Sequence, residues 1–255
     1  VNLQNQPKSA RKLFVAPKGW AIMGGDWSQQ EVRCAAYLTQ EPVLLEAYEQ
    51  GRDVYASMAS EVYGKPYEEC GDGTFERKAM KVGVLASLYS TGPNTLAQQL
   101  GIGVNEAKSF LTDFFNRLPG VKRWIDDTQA LAKKQGYVWM DGEQRKRRLP
   151  EAKSKSRGYN PEVARALRQA PNAVVQGTSA IQAKATIVAL HSLCKRKEWR
   201  LFATVHDEML ILVPSDISRE DIEEFRDVMV NTYVFGNVVN KTDIELSTVW
   251  GAGVS

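Results

Sequence analysis

Two acidic positions stand out for what they could do together. Asp26 ends a short apolar segment, with Glu31 five residues on, and Asp207-Glu208 lies between two apolar runs. Strand ends are where a rigid scaffold presents functional side chains. Two carboxylates converging from separate strands can hold a pair of divalent cations about 3.5–4 Å apart. Mg²⁺ suits such a site, because it takes one or two carboxylates, keeps water, and draws its other ligands from phosphates. Either Asp alone would read as a turn former. Positive charge comes from a third feature. Arg77, Lys81, Leu85 and Tyr89 recur every four residues, so on a helix they line one slowly turning face. Two cations followed by an aromatic ring suit a triphosphate at one end and a base at the other. Taken alone, that helix reads as a solvated basic face with an apolar end.

Periodicity predicts the elements that must position these groups. Residues 19–25 (GWAIMGG) read as a buried strand delivering Asp26. Helical patterns occupy 31–38, 43–50 and 54–63, and a loop holding Gly64, Pro66, Gly71 and Gly73 follows. Thr74-Phe75-Glu76-Arg77 can cap a helix over about 74–90. Further helices fit 95–100, 105–118 and 121–134. The basic stretch 141–160 reads as loop, and 161–197 as a helix that Pro171 kinks or restarts. Residues 200–205 and 208–213 make a hairpin with His206-Asp207 at its tip, 218–233 an amphipathic helix, and 242–249 a last strand. Strands at both ends and helices between them predict an α+β fold with a helical insertion. Trp124 and Trp139 read as core, and His191 as a packed or partly exposed histidine rather than a ligand.

Composition narrows the classes. The 255 residues are 43% hydrophobic and 25% charged, as in a soluble globular protein. No apolar run approaches about 18 residues, so no membrane span is expected. The first residues are polar and carry no signal-peptide core. Cys34, Cys70 and Cys194 lie far apart, which argues against a disulfide framework or a Cys-based zinc site and for a reducing, cytoplasmic compartment. The net charge of +3 hides an asymmetry: residues 143–168 hold nine Lys/Arg against three Asp/Glu. Such a stretch is either a solvated loop or a surface for a polyanion.

Taken together, the three clusters are more specific than any one. Asp26-Trp27-Ser28-Gln29-Gln30-Glu31-Val32-Arg33 resembles motif A of the family A, DNA polymerase I-like, DNA polymerases, usually written DYSQIELR. Arg77-x3-Lys81-x7-Tyr89 resembles their motif B, and Val205-His206-Asp207-Glu208 their motif C, in the family's order. Arg168-x3-Asn172-Ala173-x2-Gln176-Gly177 is similar to the primer-template contact motif, and the likeness begins at Asn2-Leu3-Gln4-Asn5. The resemblance implies a palm, an antiparallel sheet with flanking helices, over 1–40 and 161–255. A mainly helical fingers subdomain is inserted over 41–160. It implies template-directed DNA synthesis, adding dNMP from dNTP to a primer 3′-hydroxyl with release of pyrophosphate by a two-metal-ion mechanism.

By the same likeness Asp26 and Asp207 would bind two Mg²⁺ ions, for which Mn²⁺ could substitute. The Trp27 backbone carbonyl would complete a site, and Glu208 would lie nearby as a further ligand. Arg77 and Lys81 would grip the triphosphate, with Lys81 also protonating pyrophosphate, and Gln29 would sit by the phosphates. Glu31 would close the pocket against a ribose 2′-hydroxyl, and Tyr89 would stand near the sugar and template base. Arg33, Arg168, Asn172, Gln176 and His206 would contact DNA. Several positions depart from the pattern: Leu85 replaces an aromatic residue that stacks on the incoming base, and Tyr55 a triphosphate-binding His. Val84 and Ala86 replace Asn and Gly, and Trp27 and Gln30 replace Tyr and Ile. No thumb or exonuclease-like region precedes Val1, which implies an upstream region of the same protein or a separate subunit. The setting implied is the cytoplasm of a bacterial or phage-infected cell. Two other readings remain: a thumb-less DNA-binding chain inactive alone, and a single-subunit RNA polymerase, against which Glu31 argues.

Overall fold

The computed structural model describes residues 7–88, 91–140, 145–153 and 159–251. Tyr89, the start of the likeness at Asn2-Leu3-Gln4-Asn5, and parts of the 141–160 stretch lie outside the described residues. The strands are β1 (Trp20–Trp27), β2 (Tyr137–Met140), β3 (Arg145–Arg148), β4 (Arg200–Val205), β5 (Glu208–Pro214) and β6 (Thr242–Ser247). Helices α1 (Lys8–Arg11), α2 (Gln30–Thr39), α3 (Pro42–Glu49), α4 (Val54–Tyr63) and α5 (Phe75–Leu88) come first. They are followed by α6 (Pro93–Leu100), α7 (Val104–Arg117), α8 (Pro119–Gln135), α9 (Pro161–Lys197) and α10 (Arg219–Asn231). By their contacts these residues fall into two compact units. One comprises Val1–Gln30, Ala180–Phe235 and Val239–Ser255; the other comprises Glu31–Ser179 and Gly236–Val238.

The first unit is built on an antiparallel sheet ordered β4-β5-β1-β6. Strand side chains alternate between faces, so β1 sends Ala21, Met23 and Trp27 one way and Ile22, Gly24 and Asp26 the other. The first face is buried with Met209, Ile211 and Val213 beneath Leu190 and Leu193 of α9 and Phe225 and Met229 of α10. Gly25 makes this packing possible, because a Cβ there would stand 2.8 Å from the Phe225 ring. Only part of the second face is covered, where Ile22, Leu210 and Trp250 pack with Phe14. That cover forms because the chain's two ends pair: Val15 bridges Val249, and the Trp250 N–H donates to the Phe14 carbonyl at 3.0 Å. The uncovered part carries the acids.

Gln30, which stands where the resemblance puts Ile, is buried and satisfied. It donates to Gln182 Oε1 at 2.8 Å, while Gln182 donates to the Tyr233 carbonyl and Asn240 Oδ1 at 2.9 and 3.1 Å. Gln30→Ile would leave the Gln182 oxygen without this donor. It is expected to lower unfolding stability by about 1–3 kcal/mol, read from the denaturant midpoint at unchanged slope.

The second unit is helical up to its hairpin. Pro opens α3, α6 and α8, Asp53 caps α4, and left-handed Gly64, Gly101 and Gly136 close α4, α6 and α8. α5 crosses α7 closely at Gly83, where a Cβ would meet the Phe110 ring at 2.8 Å. The 141–160 stretch corrects its loop expectation, since Arg145–Arg148 is a strand paired to Tyr137–Met140. Four consecutive cations hid the alternation. Stability comes from the buried residues beside them: Val138 and Leu149 join Ala132, Ala166, Ala170 and Val174. Trp124 packs against that cluster as expected of core. Trp139 is only half-buried, with the Lys146 ammonium 4.5 Å above its ring. α9 runs through Pro171 as one helix rather than restarting there.

Candidate active site

β1 ends by presenting Asp26, exposed, directly opposite Glu208 on β5 and Asp243 on β6. The connection from β4 to β5 has only two residues, His206 and Asp207. Backbone bonds fix both positions: the Trp27 N–H donates to the Asp207 carbonyl at 3.3 Å, and the Thr242 hydroxyl to the Asp26 carbonyl at 2.9 Å. The Asp207 carboxyl then lies close enough for its charge to act on the Asp26 carboxyl. Although Asp26 is exposed, its carboxyl is partly withdrawn from water by the surrounding strands; that burial first, then the charges of Asp207, Glu208 and Asp243, push it up to about 7. A carboxyl so raised is a functional-site signature. Backbone strain gathers here as well. His206 at φ 56° and Gln29 at φ 59° are left-handed non-glycine residues, a conformation costing about 1–2 kcal/mol each.

Trp27 turns its side chain to the opposite face, fully buried, with its indole N–H donating to the Met229 carbonyl at 2.8 Å. Its replacement of Tyr thus affects packing rather than the acidic face. Glu208 is half-buried, and burial raises its carboxyl; the Trp250 N–H and the Arg11 charge oppose that shift. Sequence reasoning missed Asp243 and Glu245, which β6 places beside Asp26 and Gly24. The signal was present in the polar–apolar alternation of Thr242-Asp243-Ile244-Glu245-Leu246. Ser28 donates to Asp243 at 2.9 Å.

In the second unit, α5 displays Arg77, Lys81 and Leu85 on successive turns, and the Thr74 hydroxyl accepts from the Arg77 N–H at 3.3 Å as a cap. Arg77 is held by acids. Its Nε and Nη2 reach Asp53 Oδ2 at 3.0 and 2.7 Å, and Nη1 reaches the exposed Asp72 at 2.9 Å. Burial raises the Asp53 carboxyl, but hydrogen bonds from Arg77 and from the Ala56 and Tyr55 amides outweigh it and hold the group below the usual range. Sequence reasoning missed Asp53, because a helix cap and an ion-pair partner look alike in sequence. Lys81 is exposed and makes no ion pair among the described residues. Leu85 is half-buried. Tyr55 is buried, its ring 5.7 Å from the Arg77 guanidinium and its hydroxyl pushed by burial up to about 12.

Glu31 is half-buried in the first turn of α2. Arg33, two residues on and turned away from Glu31 on the same helix, is buried, with its guanidinium 4.2 Å from the Tyr48 ring. Arg168, Asn172 and Gln176 fall on one face of α9, the first and last exposed. Gly177, next to them, has a packing role. A Cβ there would lie 1.9 Å from Met140 Sδ, so β2 rests on α9 at this residue.

Whether these groups fit a divalent cation can be tested on their own chemistry. Among the described residues no three His, Cys, Asp or Glu side chains stand at metal-holding spacing. The protein offers two neighbouring carboxyls, Asp26 and Asp207, and crowding by acidic charge helps push Asp26 up to about 7. A divalent cation relieves such crowding, and Mg²⁺ needs no more than two carboxylates when water and phosphate complete its shell. The residues fit.

An antiparallel sheet with an acidic edge in the first unit and a cationic helix in the second are both features that the sequence resemblance implies. The sequence model of DNA polymerase family A matches residues 1–252. DNA polymerase I of Pseudomonas aeruginosa is 34% identical over 238 residues, 89% of this chain and 25% of that protein. DNA polymerase I of Chloroflexus aurantiacus is 32% identical over 258 residues, 98% of this chain and 26% of that protein. The POL domain of Pol1 from M. smegmatis, solved in complex with DNA primer-template and dNTP, matches with a TM-score of 0.87 at 30% identity. It covers 99% of this chain and 45% of that one. The chain therefore belongs to DNA polymerase family A, and the expected α+β palm-and-fingers fold is the fold found. Membership implies dependence on a divalent metal. The chain spans about a quarter of the length of these curated relatives. No helix among the described residues is long and apolar enough to cross a membrane.

Proposed function

We propose that this chain performs template-directed DNA synthesis, joining dNMP units from dNTPs to a primer 3′-hydroxyl and releasing pyrophosphate. The observation that carries this is the convergence of Asp26 and Asp207 at the open sheet face, where Asp26 pairs in register with Glu208 and the Trp27 N–H binds the Asp207 carbonyl at 3.3 Å. Asp26 and Asp207 would hold two Mg²⁺ ions, with the Trp27 carbonyl and Glu208 at hand. When bound, the ions would lower the pKa of the primer hydroxyl and neutralise charge on the triphosphate. The remaining roles rest on the resemblance. Lys81, without an ion pair among the described residues, meets the triphosphate and gives a proton from Nζ to departing pyrophosphate. Arg77 can trade exposed Asp72 for phosphate at little cost, since such surface pairs contribute about 0–1 kcal/mol, while Asp53 keeps it oriented. Gln29 sits by the phosphates, and Glu31 excludes the 2′-hydroxyl. Leu85 and Tyr89 line the nucleotide's base and sugar. Arg33, Arg168, Asn172, Gln176 and His206 contact primer-template. In this reading 1–40 and 161–255 are palm and 41–160 fingers. The thumb comes from an upstream region or a separate subunit, and the work is done in the cytoplasm.

Comparing dNTP with NTP incorporation on one primer-template tests the reading. Preference for dNTP, relaxed by Glu31→Ala, is expected; equal or better use of NTP would favour an RNA polymerase instead. Cation binding should also depend on pH. Below the Asp26 value of about 7 the cation must displace a proton. Mn²⁺ affinity is therefore expected to fall by about tenfold per pH unit there and to level off above, as followed by titration between pH 6 and 8.

The exposed strand Arg145–Arg148 would meet DNA phosphates. Replacing Lys146, Arg147 and Arg148 by Ala is expected to weaken DNA binding and to reduce the slope of log affinity against log salt by about 2–3. An unchanged slope would assign the strand to a solvated edge.

A further inference from the structure

The acidic face borders a cleft of ≈ 480 Å³ lined by Arg11, Gly24, Asp26, Glu208, Asp243, Glu245 and Gly251. Arg11 is the one cation among these seven residues. Its Nη1 lies 3.5 Å from Glu208 Oε2, and its guanidinium sits 4.5 Å from the centre of the Trp250 ring. The Trp250 indole N–H donates to the same carboxylate, 3.2 Å from Oε1 and 3.4 Å from Oε2. Glu208 therefore has both oxygens engaged by residues from the chain's two ends. Those ends are brought together by the Val15–Val249 bridge and the bond from Trp250 to Phe14. The Glu208 carboxylate lies over Gly24, where a Cβ would stand in ordinary contact, 3.4 Å, with Oε1.

Glu208 is also the direct cross-strand partner of Asp26, so its side chain shares the face of the Asp26–Asp207 pair. Nothing in the register keeps its carboxylate from joining them. The ion pair and the indole bond do. We propose that Arg11 and Trp250 are positioning residues, holding the Glu208 carboxylate over Gly24 and out of the cation shell of Asp26 and Asp207. Their effect is to keep Glu208 from adding a further carboxylate to the shell of Asp26 and Asp207, while Asp243 is engaged by the Ser28 hydroxyl at 2.9 Å, and so to leave moderate cation affinity and open positions for substrate oxygens. The inference rests on the proposed cation site.

The test is Mn²⁺ binding to the full chain without DNA or nucleotide, read from the electron paramagnetic resonance signal of free Mn²⁺, beside thermal unfolding. Trp250→Phe keeps an aromatic ring and the net charge but removes the N–H. It is expected to tighten Mn²⁺ binding by about tenfold, the scale of changes to groups that orient metal ligands. Arg11→Met should do the same, and it serves where Trp250→Phe fails to fold. In a Glu208→Gln background neither substitution should change the affinity, because the carboxylate they restrain is gone. Equal tightening with and without Glu208, or no tightening in either background, would overturn the proposal, leaving Arg11 and Trp250 a purely electrostatic or packing role. Asp26→Asn should abolish binding. Failure of the parent to bind Mn²⁺, or binding undiminished in Asp26→Asn, would overturn the cation-site reading and this inference with it.

Discussion

Asp26→Asn is expected to lower Mg²⁺-dependent nucleotide addition by at least roughly 10²–10³-fold, the scale of removing one group that stabilises transition-state charge. Asn has the shape of Asp, but it brings no negative charge to a cation. The fold should not suffer. The folded carboxyl titrates at about 7 against 3.8 unperturbed. Between those values the folded state holds more protons than the unfolded, so this group's contribution to stability falls as pH rises through that window. At pH 8, without metal, the neutral Asn variant should therefore be at least as stable as the parent. Loss of activity together with unreduced melting temperature would separate a cation ligand from a structural residue. A variant that retains activity would remove Asp26 from the reaction.

Lys81→Ala should cost about 10²–10⁴-fold in kcat, the usual worth of a general acid, because Arg77, the cation one turn before it in the same row, is already engaged. Arg77 is tied to Asp53 and Asp72. Lys81→Arg restores positive charge for the triphosphate but yields its proton reluctantly, since guanidinium stays protonated at all working pH. The account therefore predicts that Lys81→Arg recovers KM for dNTP and leaves kcat low. Equal recovery of both would make Lys81 a phosphate anchor only. Arg77→Ala is a less clean probe, because it also strips Asp53, the cap of α4, of its ion-pair partner.

Much of this fold was legible because its signals are local. The strand before Asp26, the two-residue turn at His206-Asp207, the cap at Thr74 and the start of α9 at Pro161 are written in neighbouring residues. The β2–β3 hairpin was not legible, since its strand reads RKRR and its support comes from Val138 and Leu149 on either side. Partnerships between distant residues were equally hidden. Gln30 looked like a departure from an apolar pattern until Gln182, far along the chain, proved to be its partner. Asp243 joined the site only because β6 returns beside β1. The clamp of Arg11 and Trp250 on Glu208 joins opposite ends of the chain, a contact that no spacing within either end could announce.

Single-nucleotide insertion opposite each of the four template bases, on a short primer-template with Mg²⁺ and stopped by chelator, tests the central claim most directly. The account predicts addition of the complementary dNMP alone, one pyrophosphate per addition, and none once the metal is chelated. A chain that binds the same primer-template yet inserts nothing, even with a thumb-bearing segment supplied, would contradict it and leave a DNA-binding module built on a polymerase fold.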